Sequence, residues 1–358
     1  MKLAHFETLA PVCPLCRRQG LDHALSIAVI ERESRDDMAA GILQCTACGA
    51  EYPVIDGLPI LVPDVRQFVQ QNLFYLLARD DLTPAVEGLL GDAAGPGSAL
   101  DSIRQHVSSY MWDHWGDLDP QGFGPVPGDA APGGITRVLD AGMALAGDLP
   151  AGPLLDIGCG AGRTVAELAR RTGRMTLGID ISVPLSRAGR RAAVAGQVDY
   201  GLRRAGLVYD RRRYATGQDD DGLVDIWICD VLALPFRADA FALANALNVV
   251  DCMVDPRAGL MEMSRILKPG AAALLSVPFD WSGHVTPVEA WLGGHSQRAA
   301  HAGRPEAILD MLLSPGPLAA GGLRRQGEAR EVPWHVRLHD RSCMHYAACL
   351  VAARESME

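Results

Sequence analysis

Leu154-Leu155-Asp156-Ile157-Gly158-Cys159-Gly160-Ala161-Gly162-Arg163-Thr164 decides how this chain is read. An apolar run around one acid makes a short buried strand, and three glycines at alternate positions then open a helix. Glycine at such a junction lets the backbone turn sharply and pass close to a ligand. Dinucleotide-binding folds use a similar device. Asp156 tips the balance away from a pyrophosphate, because a carboxylate beside the loop repels a phosphate and attracts a cation. Downstream, strands are expected at 153–157, 175–179, 225–229, 240–247 and 271–277, alternating with helices at 135–146, 162–171, 183–195 and 256–265. That alternation predicts an α/β fold, a parallel sheet with helices on both faces. A late strand at 343–352 is expected at the far edge of the sheet.

Acids recur at the strand ends. Gly178-Ile179-Asp180-Ile181-Ser182 closes the second strand with a carboxylate able to accept both hydroxyls of a ribose. Cys229-Asp230-Val231, with Leu234-Pro235-Phe236 behind it, is placed to meet an adenine amine and ring. Arg265-Ile266-Leu267-Lys268-Pro269-Gly270 makes a helix-to-strand turn before the fifth strand. In this order and spacing the set resembles the class I S-adenosylmethionine-dependent methyltransferases, from Pro153 to about Val277. The resemblance implies a Rossmann-like seven-stranded sheet, S-adenosyl-L-methionine as cofactor, and an enzyme that transfers its methyl group. It places the cofactor on Asp156, Gly158, Gly160, Gly162, Asp180, Ile181, Asp230, Val231 and Asn248. Two positions depart from the pattern: Ala271 replaces a second glycine after Gly270, and Ala242 replaces an acid in the fourth strand.

Toward the N-terminus, Cys13-Pro14-Leu15-Cys16 and Cys45-Thr46-Ala47-Cys48 form two CxxC pairs. Four thiolates suit a tetrahedral, closed Zn²⁺ site, which leaves no open position for substrate. Tyr52 to Val62 reads as two strands about an Asp56-Gly57 turn. With the cysteines, that tail resembles the small zinc-ribbon proteins that partner tRNA, rRNA and release-factor methyltransferases. The resemblance implies a zinc-ribbon β module docked on a methyltransferase in the same chain. Cys159, Cys229, Cys252, Cys343 and Cys349 are expected to be small buried residues.

Three regions follow: a zinc ribbon at 1–62, a helical connector and active-site lid at 63–134, and the methyltransferase domain at 135–358. The connector is expected to hold helices at 65–78 and about 101–115, separated by a loop rich in Gly, Pro and Ala. Its Tyr110-Met111-Trp112-Asp113-His114-Trp115-Gly116 motif offers aromatic faces, Tyr110 first, to a sulfonium. Arg203, Arg204 and Arg211–Arg213, followed by Asp219-Asp220-Asp221, read as a solvated insert.

Ligands of open α/β sheets bind beyond the carboxyl ends of the strands. There the segment 277–294 carries Asp280, Trp281, His284, Glu289 and Trp291. It is read as the acceptor pocket, with Asp280, His284, Trp281 and Trp291 as catalytic-side residues and Asp280, His284 or His114 as the base where one is needed. Phe279-Asp280-Trp281, Thr286-Pro287 and Trp291-Leu292-Gly293-Gly294, with Leu247–Asp251 before them, resemble the methyltransferase domain of ovothiol biosynthesis. That family N-methylates the imidazole of a mercaptohistidine. The resemblance implies a small or amino-acid-like acceptor, such as an imidazole nitrogen.

The formal charge is −10, from 33 basic and 43 acidic residues. Phosphate contacts supply most nucleic-acid affinity, so this surplus has the wrong sign for a dedicated RNA or DNA binder. RNA-base methylation, with the ribbon holding the RNA, is the second reading, and a non-catalytic scaffold the third. No apolar run approaches a membrane span and no signal-peptide core is visible at the start, which predicts a cytoplasmic protein without membrane contact. Oligomeric state is not legible.

Overall fold

The computed structural model describes residues 1–217 and 221–357. Asp219 and Asp220 of the acidic run lie outside the described residues. The N-terminal region contains α1 (Leu3–Leu9), α2 (Pro14–Arg17), β1 (Leu25–Ser34), β2 (Asp37–Cys45), β3 (Glu51–Ile55) and β4 (Leu58–Leu61). Three helices follow: α3 (Val65–Leu77), α4 (Pro84–Ala94) and α5 (Ala99–Trp115). Then come α6 (Gly134–Ala146), β5 (Leu154–Ile157), α7 (Arg163–Thr172), β6 (Thr176–Asp180) and α8 (Val183–Ala193). A hairpin of β7 (Gln197–Ala205) and β8 (Val208–Ala215) precedes β9 (Val224–Cys229) and β10 (Phe241–Leu247). The chain ends with α9 (Pro256–Ile266), β11 (Leu267–Val277), α10 (Pro305–Leu312), β12 (Leu323–His339) and β13 (Ser342–Glu355).

The expected alternation is present, but the sheet is larger than expected. One sheet runs β1-β2-β3-β4-β9-β6-β5-β10-β11-β13-β12, eleven strands in all. The seven strands from β9 to β12 are the predicted class I sheet. The N-terminal strands continue it: β4 lies parallel to β9, with Ile60 opposite Ile228 and Leu61 opposite Cys229. An exposed β9 edge would leave unpaired N–H and C=O groups. All four residues of β4 are buried, so it fits a central strand, not an edge. The late strand is internal as well: β13 pairs antiparallel with both β11 and β12, so β12 forms the edge.

Three further expectations are corrected. The supposed loop after α3 contains α4, whose Pro84 stands at the first helical position, where its fixed φ and missing N–H do no harm. The arginine-rich insert is solvated on one face only, where Arg204 and Arg213 are exposed. Val198, Tyr200 and Leu202 alternate inward on β7 and are buried with Tyr214, while Arg211 and Arg213 both bind Asp199. Cys252 is exposed and Cys343 and Cys349 are half-buried, whereas Cys159 and Cys229 are buried as expected.

Candidate active site

The glycine loop leaves β5 with Gly158, Gly160 and Gly162 at φ of +67°, +52° and +80°. A Cβ on Gly158 would lie 2.4 Å from Val249 Cγ2, so only glycine fits there. Asp156, just before the loop, is buried with both carboxylate oxygens engaged. Asn245 Nδ2 donates to its Oδ1 at 2.6 Å, and the Thr164 hydroxyl donates to its Oδ2. Burial pushes its carboxyl up to about 7. Its visible task is to join β5, β10 and the start of α7.

Asp180, at the end of β6, accepts from Gly160 N at 2.9 Å and from Ser182 N at 2.8 Å. Burial raises its pKa. Asp230 accepts from Leu232 N at 2.9 Å, which fixes the turn carrying Val231. Ile181, which follows Asp180 in the chain, is half exposed. Asn248 adopts φ of +54°. Its Oδ1 accepts from Ser276 Oγ at 2.7 Å, and its buried Nδ2 has no partner.

α5 lies across the loop. Its N-terminus is capped by Ser98, which accepts from Asp101 N. Trp115 Nε1 donates to Ala161 O at 2.7 Å, and His114 Nδ1 accepts from Arg163 N at 3.2 Å. Burial, then the Arg163 charge, lowers the His114 pKa to about 3, so the ring stays neutral and holds the loop. Tyr110 packs one turn earlier, with its ring 5.5 Å edge-on from His106. Asp113, raised by burial to about 6, accepts from Trp334 Nε1 at 2.8 Å and ties α5 to β12.

The acceptor-side residues divide. Trp281 and Trp291 stack on each other, centroids 5.8 Å apart, and Trp291 Nε1 donates to Thr286 O at 2.9 Å. His284 and Glu289 lie exposed on the surface. Asp280 alone points toward the C-terminal strands, where its Oδ2 accepts from the Tyr346 hydroxyl at 2.7 Å. Its backbone N–H donates to buried Asp251 at 2.8 Å. Burial lifts the Asp251 carboxyl to about 6. Tyr346 stacks on Trp334 at 5.2 Å. Both rings, with His106, Tyr110 and Met344, line a cavity of about 630 Å³.

Residues 155–275 match the methyltransferase domain family. This chain carries a class I S-adenosylmethionine-dependent methyltransferase domain. Similar proteins include the O-methyltransferase cnsE of Penicillium expansum, 25% identical over 177 residues, or 49% of this chain and 54% of that one. Methyltransferase GfsG of Streptomyces halstedii is 27% identical over 194 residues, 51% of this chain and 60% of that one. The chain thus spans little more than half the length of these relatives. A solved structure described as the conversion of a disulfide bond into a thioacetal group during echinomycin biosynthesis is 17% identical. It covers 63% of this chain and 82% of that chain, with a TM-score of 0.41.

Outside the methyltransferase domain, the sulfurs of Cys13, Cys16, Cys45 and Cys48 all lie within 4.8 Å of one another. Cys13–Cys48 and Cys16–Cys45 are 3.7 and 4.0 Å apart. Tetrahedral Zn²⁺ with sulfurs at roughly 2.3 Å needs separations of ~3.8 Å, so the set can hold that ion. Buried Tyr52 lies with its hydroxyl 3.1 Å from Cys13 Sγ, where it can donate to a metal-bound thiolate. Sequence reasoning missed Tyr346, His106 and Asp251 as site residues. The first two lie far from the glycine loop in sequence. Asp251 was visible only as an acid after β10.

Proposed function

We propose that this protein transfers the methyl group of S-adenosyl-L-methionine to a small-molecule or amino-acid-derived acceptor, and that Cys13, Cys16, Cys45 and Cys48 hold a structural Zn²⁺. The observation that carries the acceptor reading is the cavity lined by His106, Tyr110, Trp334 and Tyr346. Its volume suits a small molecule, and its walls mix aromatic and aliphatic side chains with Asp101, Gln105, His106, Ser109 and Arg203, a lining for a polar acceptor. The names of the two curated relatives are those of methyltransferases, and one is an O-methyltransferase. The −10 charge supports a small acceptor over RNA.

When bound, the cofactor supplies an electrophilic methyl on a sulfonium. Asp180 accepts the ribose hydroxyls, the turn at Asp230 and Val231 receives the adenine, and the glycine loop lets the backbone approach. Tyr110 offers a ring face to the cation. α5 and the aromatic wall exclude water and position the acceptor, which supplies most of the acceleration in such a displacement. An imidazole nitrogen, the acceptor suggested by the likeness of 279–294 to the mercaptohistidine enzymes, needs no strong base. A hydroxyl acceptor needs one. Of the three candidates, His114 is locked on the loop, and His284 and Asp280 are both exposed; Asp280 is favoured because Tyr346, which lines the cavity, donates to it.

A methyl-transfer assay against a small-molecule extract and against cellular RNA, at low and moderate salt, tests this reading. Label should enter the small-molecule fraction with weak salt dependence. Tyr346→Ala should lower kcat/KM about tenfold with cofactor affinity nearly unchanged. Label in RNA alone, with a rate falling steeply as salt rises, overturns the reading in favour of an RNA methyltransferase.

A further inference from the structure

A second cavity, of about 400 Å³, lies between α3, α4, α5, α8 and the β7–β8 hairpin. It shares no lining residue with the acceptor cavity. α5 divides the two: Leu100, Ile103, Arg104 and Val107 face this cavity, while Asp101, Gln105, His106 and Tyr110 line the other. That division follows from helical periodicity. None of Asp156, Gly158, Asp180, Asp230 or Asn248 lines it, so it is not part of the cofactor site. We propose that this cavity is a separate ligand site, built for a molecule with an apolar body and one carboxylate.

The apolar part is set by the walls and the rim. Phe74, Leu82, Leu90, Leu100, Ile103 and Val107 contribute to the lining. Around it, α3 and α4 leave Leu73, Leu77, Val86 and Leu89 exposed, Leu77 at 73% and Leu89 at 68%. A concentration of large apolar side chains on one short helix pair marks a binding surface more often than chance exposure.

The anionic end is set by Arg104. Other arginines of the lining have acceptors: Arg79 donates to Asp81, Arg187 to Asp56, Arg191 to Asp80 and Arg211 to Asp199. Arg104 is only 8% exposed, and its Nε and Nη1 are buried without a hydrogen-bond partner. Its Nε lies 3.4 Å from Glu87 Oε1, an ion pair without hydrogen-bond geometry, while Arg211 Nη1 donates to the other oxygen, Oε2, at 2.9 Å. The guanidinium lies 4.0 Å over the ring of Tyr209, whose buried hydroxyl also lacks a partner. The guanidinium packs closely on α4: a Cβ on Gly91 would fall 2.0 Å from Arg104 Nη1. A buried guanidinium whose charge is paired with Glu87 but whose Nη1 is left without a hydrogen bond is still short of one acceptor, which is costly. A ligand carboxylate would supply the paired acceptor that the planar fork favours, and the Tyr209 hydroxyl could donate to the same group.

Calorimetry on the full chain tests this, with decanoate as probe and decylamine as the control of opposite charge. One saturable decanoate site per chain is expected, with decylamine at least about tenfold weaker. Arg104→Gln should raise the decanoate Kd by about tenfold or more, and Ala188→Phe, which fills the cavity, should abolish binding. Both variants should bind S-adenosylhomocysteine as the parent does. Should Arg104→Gln not fold, Arg104→Lys keeps the charge without the fork and should still weaken decanoate. No saturable decanoate binding, equal binding of decylamine, or unchanged binding in Ala188→Phe overturns the proposal. So does parallel loss of S-adenosylhomocysteine binding, which would join the cavity to the cofactor site.

Discussion

Asp180 carries two duties that a single substitution separates from the fold. Its oxygens hold Gly160 N and Ser182 N, and in the proposed complex they also accept the ribose hydroxyls. Asp180→Ala should weaken S-adenosylmethionine binding by roughly 1.5–3 kcal/mol, the range for hydrogen bonds to a charged group. Titration calorimetry reads the change, and unaltered affinity would show that the cofactor lies elsewhere. Asp251 gives a pH signature. Burial, and secondarily the Asp280 charge, raises its carboxyl from 3.8 to about 6. A group whose folded pKa is raised stabilises the fold fully below its unfolded pKa and loses that contribution as pH rises through the folded value. Here the loss falls between about pH 4 and pH 6. Asp251→Asn keeps an acceptor for the Asp280 N–H and removes the titration. Relative to the parent it should therefore gain on the order of 2 kcal/mol between pH 4.5 and pH 7.5, read by denaturant unfolding. A constant difference across that range would rule out the raised carboxyl.

Among the elements, α5 does the most joining. One helix carries His114 and Trp115 onto the glycine loop, Asp113 onto Trp334, and opposite faces onto two cavities. The four-cysteine module is the second such element. Cys13 caps α2 and Cys45 ends β2, so a metal there would fix where β2 and β3 meet. With zinc bound, Cys45→Ser should lose the metal and lower the melting temperature. Binding energy at structural zinc is folding energy, on the order of 10 kcal/mol in isolated fingers. Metal analysis showing no zinc in the parent protein would remove the basis for this expectation.

At the scale of the whole molecule, the N-terminal module and the catalytic sheet are one structure. β4 pairs with β9, and Arg190 of α8 bridges them, donating to Asp37 at 2.7 Å and to fully buried Asp225 at 3.1 Å. The opposing charges pull the Asp225 pKa down against its burial. Arg190→Ala would leave Asp225 buried beside fewer cations, and breaking such a pair costs about 3–5 kcal/mol. Thermal unfolding should show one transition shifted to lower temperature. Two separate transitions in the parent would mean that the module and the catalytic domain fold independently.

Local patterning was enough for the α/β core and the convergence of cysteines. Strand periodicity, the glycine loop with Asp156, and the acids closing β6 and β9 are short-range features, each written in a few consecutive residues. The β7 alternation at Val198, Tyr200 and Leu202 was equally local, but the surrounding arginines masked it. Tertiary structure alone decided the rest. The eleven-stranded sheet depends on β4 meeting β9 across more than 150 residues of chain. Asp280 found its partner in Tyr346, 66 positions away. Trp281 and Trp291, adjacent enough to suggest a pocket, used their faces on each other. Periodicity tells which face of an element is apolar, but which element covers that face is set by long-range packing, and the cavity proposed for the acceptor is made of such contacts.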